Sequence, residues 1–380
     1  MMTDIIKSES GKEVNFLAIK DFAKVSIGEF VHKSKQNPSG KYPVYNGGTG
    51  NTGFYDEYNR TANKIIVSAR GANAGYVNRV FVDFWSGNSC YSIDVIDENV
   101  DWNYIYYCLK NGEVKLLGEQ QKGGIPAVSK KQVEQFKIPL PPLPIQQEIV
   151  RILDTFTNLT AELTAELTAR RKQYEYYRDE LLTFGEDIER RTIGDVCLKI
   201  ASGGTPATGK MEYYGGDIPW LRTQEVDWND IWDTGVKISK AGLENSSAKW
   251  IPENCVVVAM YGATAAKVAV NRIPLTTNQA CCNLLINEKI VMHRYVFYWL
   301  SKEYLHLKEM GQGSQSNINA KIIRNYLIPI PPMERQQYIV SILDRFRELC
   351  SAFSGISEEI LLRQKQYEYY RDKLLNFREK

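Results

Sequence analysis

The chain has 380 residues, 43% hydrophobic and 24% charged, with a formal net charge of +2. This is the composition of a soluble globular protein of two to three domains, and it excludes collagen-like, disordered and small disulfide-scaffold classes. So small a net charge argues against a simple electrostatic DNA binder, although charge can be focused locally: residues 24–79 hold eight Lys/Arg against three Asp/Glu.

Residues 1–137 are expected to form a globular domain. Its β-type runs, punctuated by Gly, Pro and Asn, are YPVYNGGTGNTGFY, KIIVSARG, RVFVDFW and SCYSIDVI, followed by a Tyr- and Leu-rich helical stretch at 102–117. Residues 138–184 open on Pro141-Pro142-Leu143-Pro144, which fits a first helical turn. Residues 185–327 repeat the first pattern with DIPWLR, CVVVAMYG, KVAVN and CNLLIN, then a helical stretch at 293–310. Residues 328–380 repeat the second, opening on Pro331-Pro332. The predicted class is α+β, with two globular domains joined by two long helices.

The chain is an internal repeat. IPLPPLPIQQEIVRILD at 138–154 aligns with IPIPPMERQQYIVSILD at 328–344 at an offset of 190. QYEYYRD occurs identically at 173–179 and 366–372, offset 193, so the second copy is three residues longer in its middle. KIIVSARGANAGYV (64–77) matches CVVVAMYGATAAKV (255–268) in pattern, and Val128-Ser129 matches Ile318-Asn319.

Apolar residues in the helices alternate at spacings of three and four, the mark of a heptad seam. The first copy offers Ile149, Ile152, Phe156, Leu159, Leu163, Tyr174, Tyr177 and Leu181, with Leu167 and Arg170 continuing the spacing between 163 and 174 and one three-residue step missing. The second offers Ile339, Ile342, Phe346, Leu349, Phe353, Ile356, Tyr367, Tyr370 and Leu374, with Ile360 and Arg363 continuing the spacing between 356 and 367; Ser354 and Gly355 are expected to loosen or bend it. Segments of ~60 Å need an extended partner, and each is the other's best candidate. Because the ends of the intervening domain are expected to lie close together, the pair should run antiparallel, with a pseudo-two-fold relation. The plainer alternative is two amphipathic helices, each buried on its own domain.

No run of 18 apolar residues exists, and no basic-then-apolar leader opens the chain, so neither a membrane span nor a secretory signal is expected. Seven cysteines, without a C-x-x-C, read as free thiols of a cytoplasmic protein. The three histidines, His32, His293 and His306, lie far apart with no flanking motif, so a His-based catalytic or metal site has little support. Asn46-Gly47-Gly48-Thr49-Gly50 lacks the G-K-[ST] ending of a phosphate loop and reads as a tight turn.

Arg suits guanine edges, and Asn or Gln suit adenine edges. Candidates near strand ends are Lys33, Lys35, Asn46, Arg70 and Asn73 in the first domain. In the second they are Arg222, Thr223, Gln224, Tyr261, Thr264, Lys267, Asn278 and Gln279. Any one of these is more often a solvated surface residue or a turn cap.

Two differing globular domains, each followed by a helix opening on Ile138-Pro139-Leu140-Pro141-Pro142-Leu143 with Gln146-Gln147, or Ile328-Pro329-Ile330-Pro331-Pro332 with Gln336-Gln337, resemble the specificity subunit of type I restriction–modification systems. Gly216-Asp217-Ile218-Pro219-Trp220 and Thr277-Asn278-Gln279-Ala280 are similar to that family's target-recognition domain; the first domain departs from it, with Tyr42-Pro43-Val44-Tyr45 and Gly87-Asn88-Ser89. The resemblance implies a non-catalytic subunit that binds double-stranded DNA at an asymmetric bipartite target. It implies a coiled-coil spacer that docks two modification (methyltransferase) subunits, with restriction/translocase subunits joining them. S-adenosylmethionine, ATP and Mg would then belong to those partners, and no cofactor to this chain. The alternative is a coiled-coil scaffold without base recognition; a third possibility is an enzyme parted from its catalytic half.

Overall fold

The β-type runs of both repeats supply the strands, except that within RVFVDFW residues 81–84 lie between strands, and the fold is α+β. The computed structural model describes residues 13–117, 126–311, 317–350 and 355–380. Packing groups them into two units: residues up to 164 together with 359–380, and residues 165–358. Among the described residues no helix is long and apolar enough to cross a membrane.

In the first unit an antiparallel sheet has the order Ala23–Ile27, Cys90–Val95, Lys64–Ser68, Val77–Val80. Its centre reads as an unbroken apolar run because both faces are covered. Ile65 and Val67 point into the main core with Tyr104, Ile105 and Leu109 of the helix Trp102–Asn111. Ile66 points the other way, to Val80, Phe84 and Cys90. A three-stranded sheet, Gly53–Tyr55, Tyr42–Tyr45, Trp85–Ser86, adjoins this face. The third sheet joins distant parts of the chain: Glu13–Ala18 lies between Lys137–Leu140 and the parallel strand Arg378–Glu379.

The second unit repeats the plan with additions. Its larger sheet runs Cys197–Ser202, Cys281–Ile286, Val256–Ala259, Val268–Asn271, Asp230–Ile231. Val256 and Val258 face the helix His293–Lys302, whereas Val257 and Ala259 face a separate cluster around Leu221 and Leu275. The smaller sheet is Lys237–Ile238, Tyr214–Leu221, Leu275–Thr277, Trp250–Ile251. Pro43 and Pro219 occupy matching places, since Tyr45 pairs in parallel with Ser86 as Leu221 does with Thr277.

The long segments depart from the sequence expectation in three ways. First, the repeated motif does not begin as helix. Ile138-Pro139-Leu140 belongs to the strand Lys137–Leu140 and Ile328-Pro329 to the strand Leu327–Pro329; the helices start at Leu143 and Met333. Lys137–Leu140 is an edge strand, and Leu327–Pro329 has one neighbour, so proline's missing N–H breaks no ladder. Second, the first helix, Leu143–Leu181, is continuous, whereas its counterpart is described over Met333–Cys350 and Gly355–Leu374. Gly355 has φ +68, a left-handed conformation that departs from α-helical geometry, and it lies within the stretch 345–365 where the second copy gains its three residues. Third, the apolar stripe serves two purposes. Ile149 and Ile152, and likewise Ile339, are buried in the globular cores, not in a helix seam.

Further along, the helices do meet. In the first unit Phe156 stacks on Tyr370 (5.3 Å between centroids, 22° between planes), with Tyr367 and Leu374 in the same core. In the second, Tyr177 stacks on Phe346 (5.6 Å, 26°), with Tyr174 and Leu181 packed on the core. In each unit the early part of one long segment meets the late part of the other, as an antiparallel pair requires. Leu159, Leu163, Ile342 and Ile356 are half-buried. Leu349 (45% exposed) and Tyr177 (37%) are corrections to an evenly buried seam, whereas Leu182, outside the spacing, is fully buried. Phe353 lies outside the described residues.

Each long helix is clamped to its own globular domain by one glutamine. Gln146 Nε2 donates to Pro141 O (2.8 Å) and Asn99 O (3.2 Å), and its Oε1 accepts from Asp101 N (2.9 Å). Gln336 repeats this with Pro331 O (2.9 Å), Ile290 O (3.3 Å) and Met292 N (3.0 Å). The following residues, Gln147 and Gln337, are exposed.

Candidate nucleic-acid interface

In each unit, several loops issue from one end of the main sheet. In the second unit the strands Cys197–Ser202 and Val256–Ala259 finish where Cys281–Ile286 begins, since Ser202 pairs with Cys282 and Ala259 with Cys281. Loops 203–210, 260–267 and 278–280 therefore emerge side by side. Strand Tyr214–Leu221 delivers 222–225 to the same place, because Leu221 pairs with Thr277.

All eight second-domain candidates lie on this rim, and hydrogen bonds bind the loops together. Thr264 Oγ1 donates to Thr223 O (2.8 Å), and Asn278 N donates to Leu221 O (2.9 Å). Gln224, Tyr261 and Gln279 are exposed; Thr223, Thr264 and Asn278 are half-buried. Two of the cations are engaged internally. Arg222 Nε pairs with Glu225 Oε1 (3.2 Å). Lys267 Nζ pairs with Asp227 Oδ1 (2.6 Å) and lies 4.3 Å from the centroid of the Trp228 ring. Asn278 Oδ1 accepts from Ala280 N (3.2 Å), the turn-capping role.

The first unit has the same frame. Ser68 pairs with Cys90, and Gly87 N donates to Tyr45 O (2.8 Å) as Asn278 N does to Leu221 O. The loops after Lys64–Ser68 and Val256–Ala259 are conformational twins. Gly71 and Gly262 have φ of +91 and +81; Gly75 (+81) is matched by Ala266 (+68). Ala74 N bonds Gly71 O as Ala265 N bonds Gly262 O, and Val128 N bonds Ala69 O as Ile318 N bonds Met260 O. On this shared backbone Arg70 stands where Tyr261 does, and Asn73 where Thr264 does. Arg70 and Asn73 are both exposed.

Asn46 lies on the first rim, but its Oδ1 accepts from Ser89 N (3.1 Å) and so holds two loops together. Its neighbour Gly47 (φ +85) forms the turn expected of the glycine run. Lys33 and Lys35 are exposed in the short turn Lys33–Lys35, which docks on Gly53–Tyr55 through Asn37 N to Phe54 O (2.9 Å). They belong to loop 28–35, the counterpart of 203–210.

That counterpart supplies residues the sequence reading passed over. Thr205 hydrogen-bonds Gln279, and Lys210 is exposed. The usable signal was the Gly that starts each loop. A Cβ on Gly28 would stand 2.2 Å from Ser86 O, and on Gly203 1.9 Å from Thr277 O. Gly203→Ala is expected to cost about 1–3 kcal/mol through overpacking. Gly209→Ala, with open space around it, should be near neutral. Thermal unfolding of the two variants checks this; equal stabilities would disprove the close approach.

Nucleophilic chemistry is not favoured at the described cysteines. Cys90, Cys108, Cys197, Cys255, Cys281 and Cys282 are free thiols. Burial pushes Cys90, Cys108, Cys197, Cys255 and Cys282 up to about 12, and Cys281 is also raised by burial. They remain protonated at neutral pH.

A family model described as the type I restriction modification DNA specificity domain matches residues 11–170 and again 185–362. The chain is 38% identical over 291 residues to a type I restriction enzyme specificity subunit of Escherichia coli, spanning 72% of this chain and 70% of that one. It is 24% identical over 375 residues to a type I restriction enzyme specificity subunit of Methanocaldococcus jannaschii, 87% of each. Among solved structures it is similar to the S subunit of a type I restriction–modification system from M. genitalium, with TM-score 0.69 and 18% identity, covering 95% and 96% of the two chains. A chain from a study of complex assembly and conformational transition of the type I system matches with TM-score 0.54 and 16% identity, covering 97% and 98%.

Proposed function

The chain belongs to the type I restriction–modification DNA specificity family, and from that premise we propose that it is a non-catalytic, sequence-reading subunit whose two domains each read one half of a bipartite DNA target. The observation that carries this is the twin rim: one backbone frame, built twice, presenting different side chains at matching positions. A frame kept constant while Arg70 is exchanged for Tyr261 and Asn73 for Thr264 is what two readers of unlike half-sites require. Positioning contacts and specifying contacts are separable tasks, which accommodates a net charge of only +2.

The long helices act as spacer and docking site for two modification subunits. In support, four residues of the identical QYEYYRD segments are exposed in both copies, Gln173, Glu175, Tyr176 and Asp179, and Gln366, Glu368, Tyr369 and Asp372; only Tyr177 differs, exposed where Tyr370 is half-buried. Two equal surfaces suit two copies of one partner. S-adenosylmethionine then belongs to those partners, which methylate adenine, and ATP and Mg to restriction/translocase subunits. The complex works in the cytoplasm.

The test is adenine-methylation mapping in a host carrying this chain with its cognate modification subunit. Two unlike half-sites separated by an unread gap are expected; a single continuous or fully palindromic motif would refute two different readers. Arg70→Ala should weaken recognition of the first half-site by about 1–3 kcal/mol and leave the second unchanged.

A further inference from the structure

One carboxylate on each long helix is gripped by the globular domain beside it. In the first unit Asp154 Oδ1 accepts from Tyr107 Oη (2.5 Å) and from Arg79 Nη1 (2.9 Å). Tyr107 comes from the helix Trp102–Asn111 and Arg79 from the strand Val77–Val80. The Arg79 guanidinium also donates to Asn103 Oδ1 (2.9 Å) and covers the Tyr106 ring at 4.3 Å. Thr157 Oγ1 lies 3.4 Å from the Tyr107 hydroxyl.

In the second unit Asp344, 190 positions on, accepts from the Tyr298 hydroxyl and from Arg294 Nη2 (2.5 Å) and Nε (3.1 Å). Arg294 Nη1 continues to Asp230 Oδ1 (3.0 Å), which Arg347 also reaches through Oδ2 (3.2 Å).

Carboxylate and phenol occupy repeat-equivalent positions, but the cation does not. Arg79 stands on a strand, whereas Arg294 stands on the helix His293–Lys302, where the first copy has Asn103. Neither is the repeat equivalent of the other. The same ionic tie has thus been completed twice from different elements, so it is not merely carried over with the repeat.

The tie also sits where it can act. It lies eight residues, about 12 Å, along the helix from the glutamine clamp. The apolar contacts of Ile149 and Ile152, or of Ile339, lie between the two and are non-directional, so it is the pair of spaced polar attachments that fixes the angle.

Resting on the function proposed above, we propose that Asp154 and Asp344 are positioning residues that hold each reading domain at a fixed angle on its long helix and thereby make the complex discriminate the length of the unread gap. A domain that rocks brings its rim to neighbouring base-pair positions without changing which bases the rim reads.

The test uses the full chain co-expressed with its modification subunits and a plasmid library carrying both half-sites at the natural gap and at gaps one base pair shorter and longer. In Asp154→Asn, methylation at the altered gaps relative to the natural gap should rise about fivefold, the weight of one hydrogen bond, with the half-site bases unchanged. Tyr107→Phe, a gentler change at the same tie, should raise the ratio in the same direction, and it carries the test if the Asn variant does not accumulate. An unmoved ratio overturns the proposal, whether methylation at the natural gap is kept or falls in proportion at every gap. Wild-type protein that methylates no two-part site would instead overturn the function itself, and the gap proposal with it.

Discussion

Exchanging residues 20–137 for the matching stretch of another family member should replace one half of the methylated motif and leave the other half as it was. Every first-unit loop that forms the rim, 28–35, 46–51, 69–76 and 87–89, lies inside that stretch. Each base pair no longer matched costs about 1–3 kcal/mol, so a few mismatches suffice to abolish modification of the original site. The graft must satisfy the fixed parts it meets: the strand Glu13–Ala18, Gln146 and Asp154. Methylation mapping of the hybrid gives the answer directly. If both halves of the motif changed together, the two domains would not be independent readers.

Gln336→Leu should destabilise the second unit by about 4 kcal/mol. The side chain is 1% exposed and satisfies Met292 N, Ile290 O and Pro331 O. Leucine fills the space but leaves these three groups unpaired, at about 1–3 kcal/mol for each that stays buried. Gln337→Leu, one residue away but exposed, should shift stability by no more than about 0.5 kcal/mol. Denaturant unfolding of the two variants separates a clamp from a general sensitivity of the helix start; equal losses would remove the clamp.

The contrast between these neighbours also shows what the sequence could and could not disclose. The repeat was legible because IPLPPLPIQQ and QYEYYRD recur, and the helices because apolar spacing persists. The strand at Ile138-Pro139-Leu140 was not, because proline is tolerated there only through the absence of a further neighbour in the sheet, a fact of tertiary arrangement. Burial of Ile149, Ile152 and Ile339 in domain cores was hidden for a related reason: a stripe that meets a domain has the same period as one that meets a helix. The left-handed backbone at Gly355 was foreshadowed by the residue itself.

At the rim, residues next to strand ends were found because topology sends them to one place, as with Tyr261, Thr264 and Asn278. Thr205 was missed, since its loop follows a strand with no strong apolar run. The ties of Asp154 and Asp344 were beyond reach, because their cations come from non-equivalent positions and no alignment of the two halves would pair them.

The first unit is assembled from both ends of the sequence. Leu374 and Phe377 sit in its core, and Arg378–Glu379 extends its sheet alongside Glu13–Ala18. The second unit draws only on residues 165–358. During synthesis, the domain begun first must therefore wait, incomplete, while the one begun later acquires all its residues and closes. The order in which the two cores are completed is thus the reverse of the order in which they are begun.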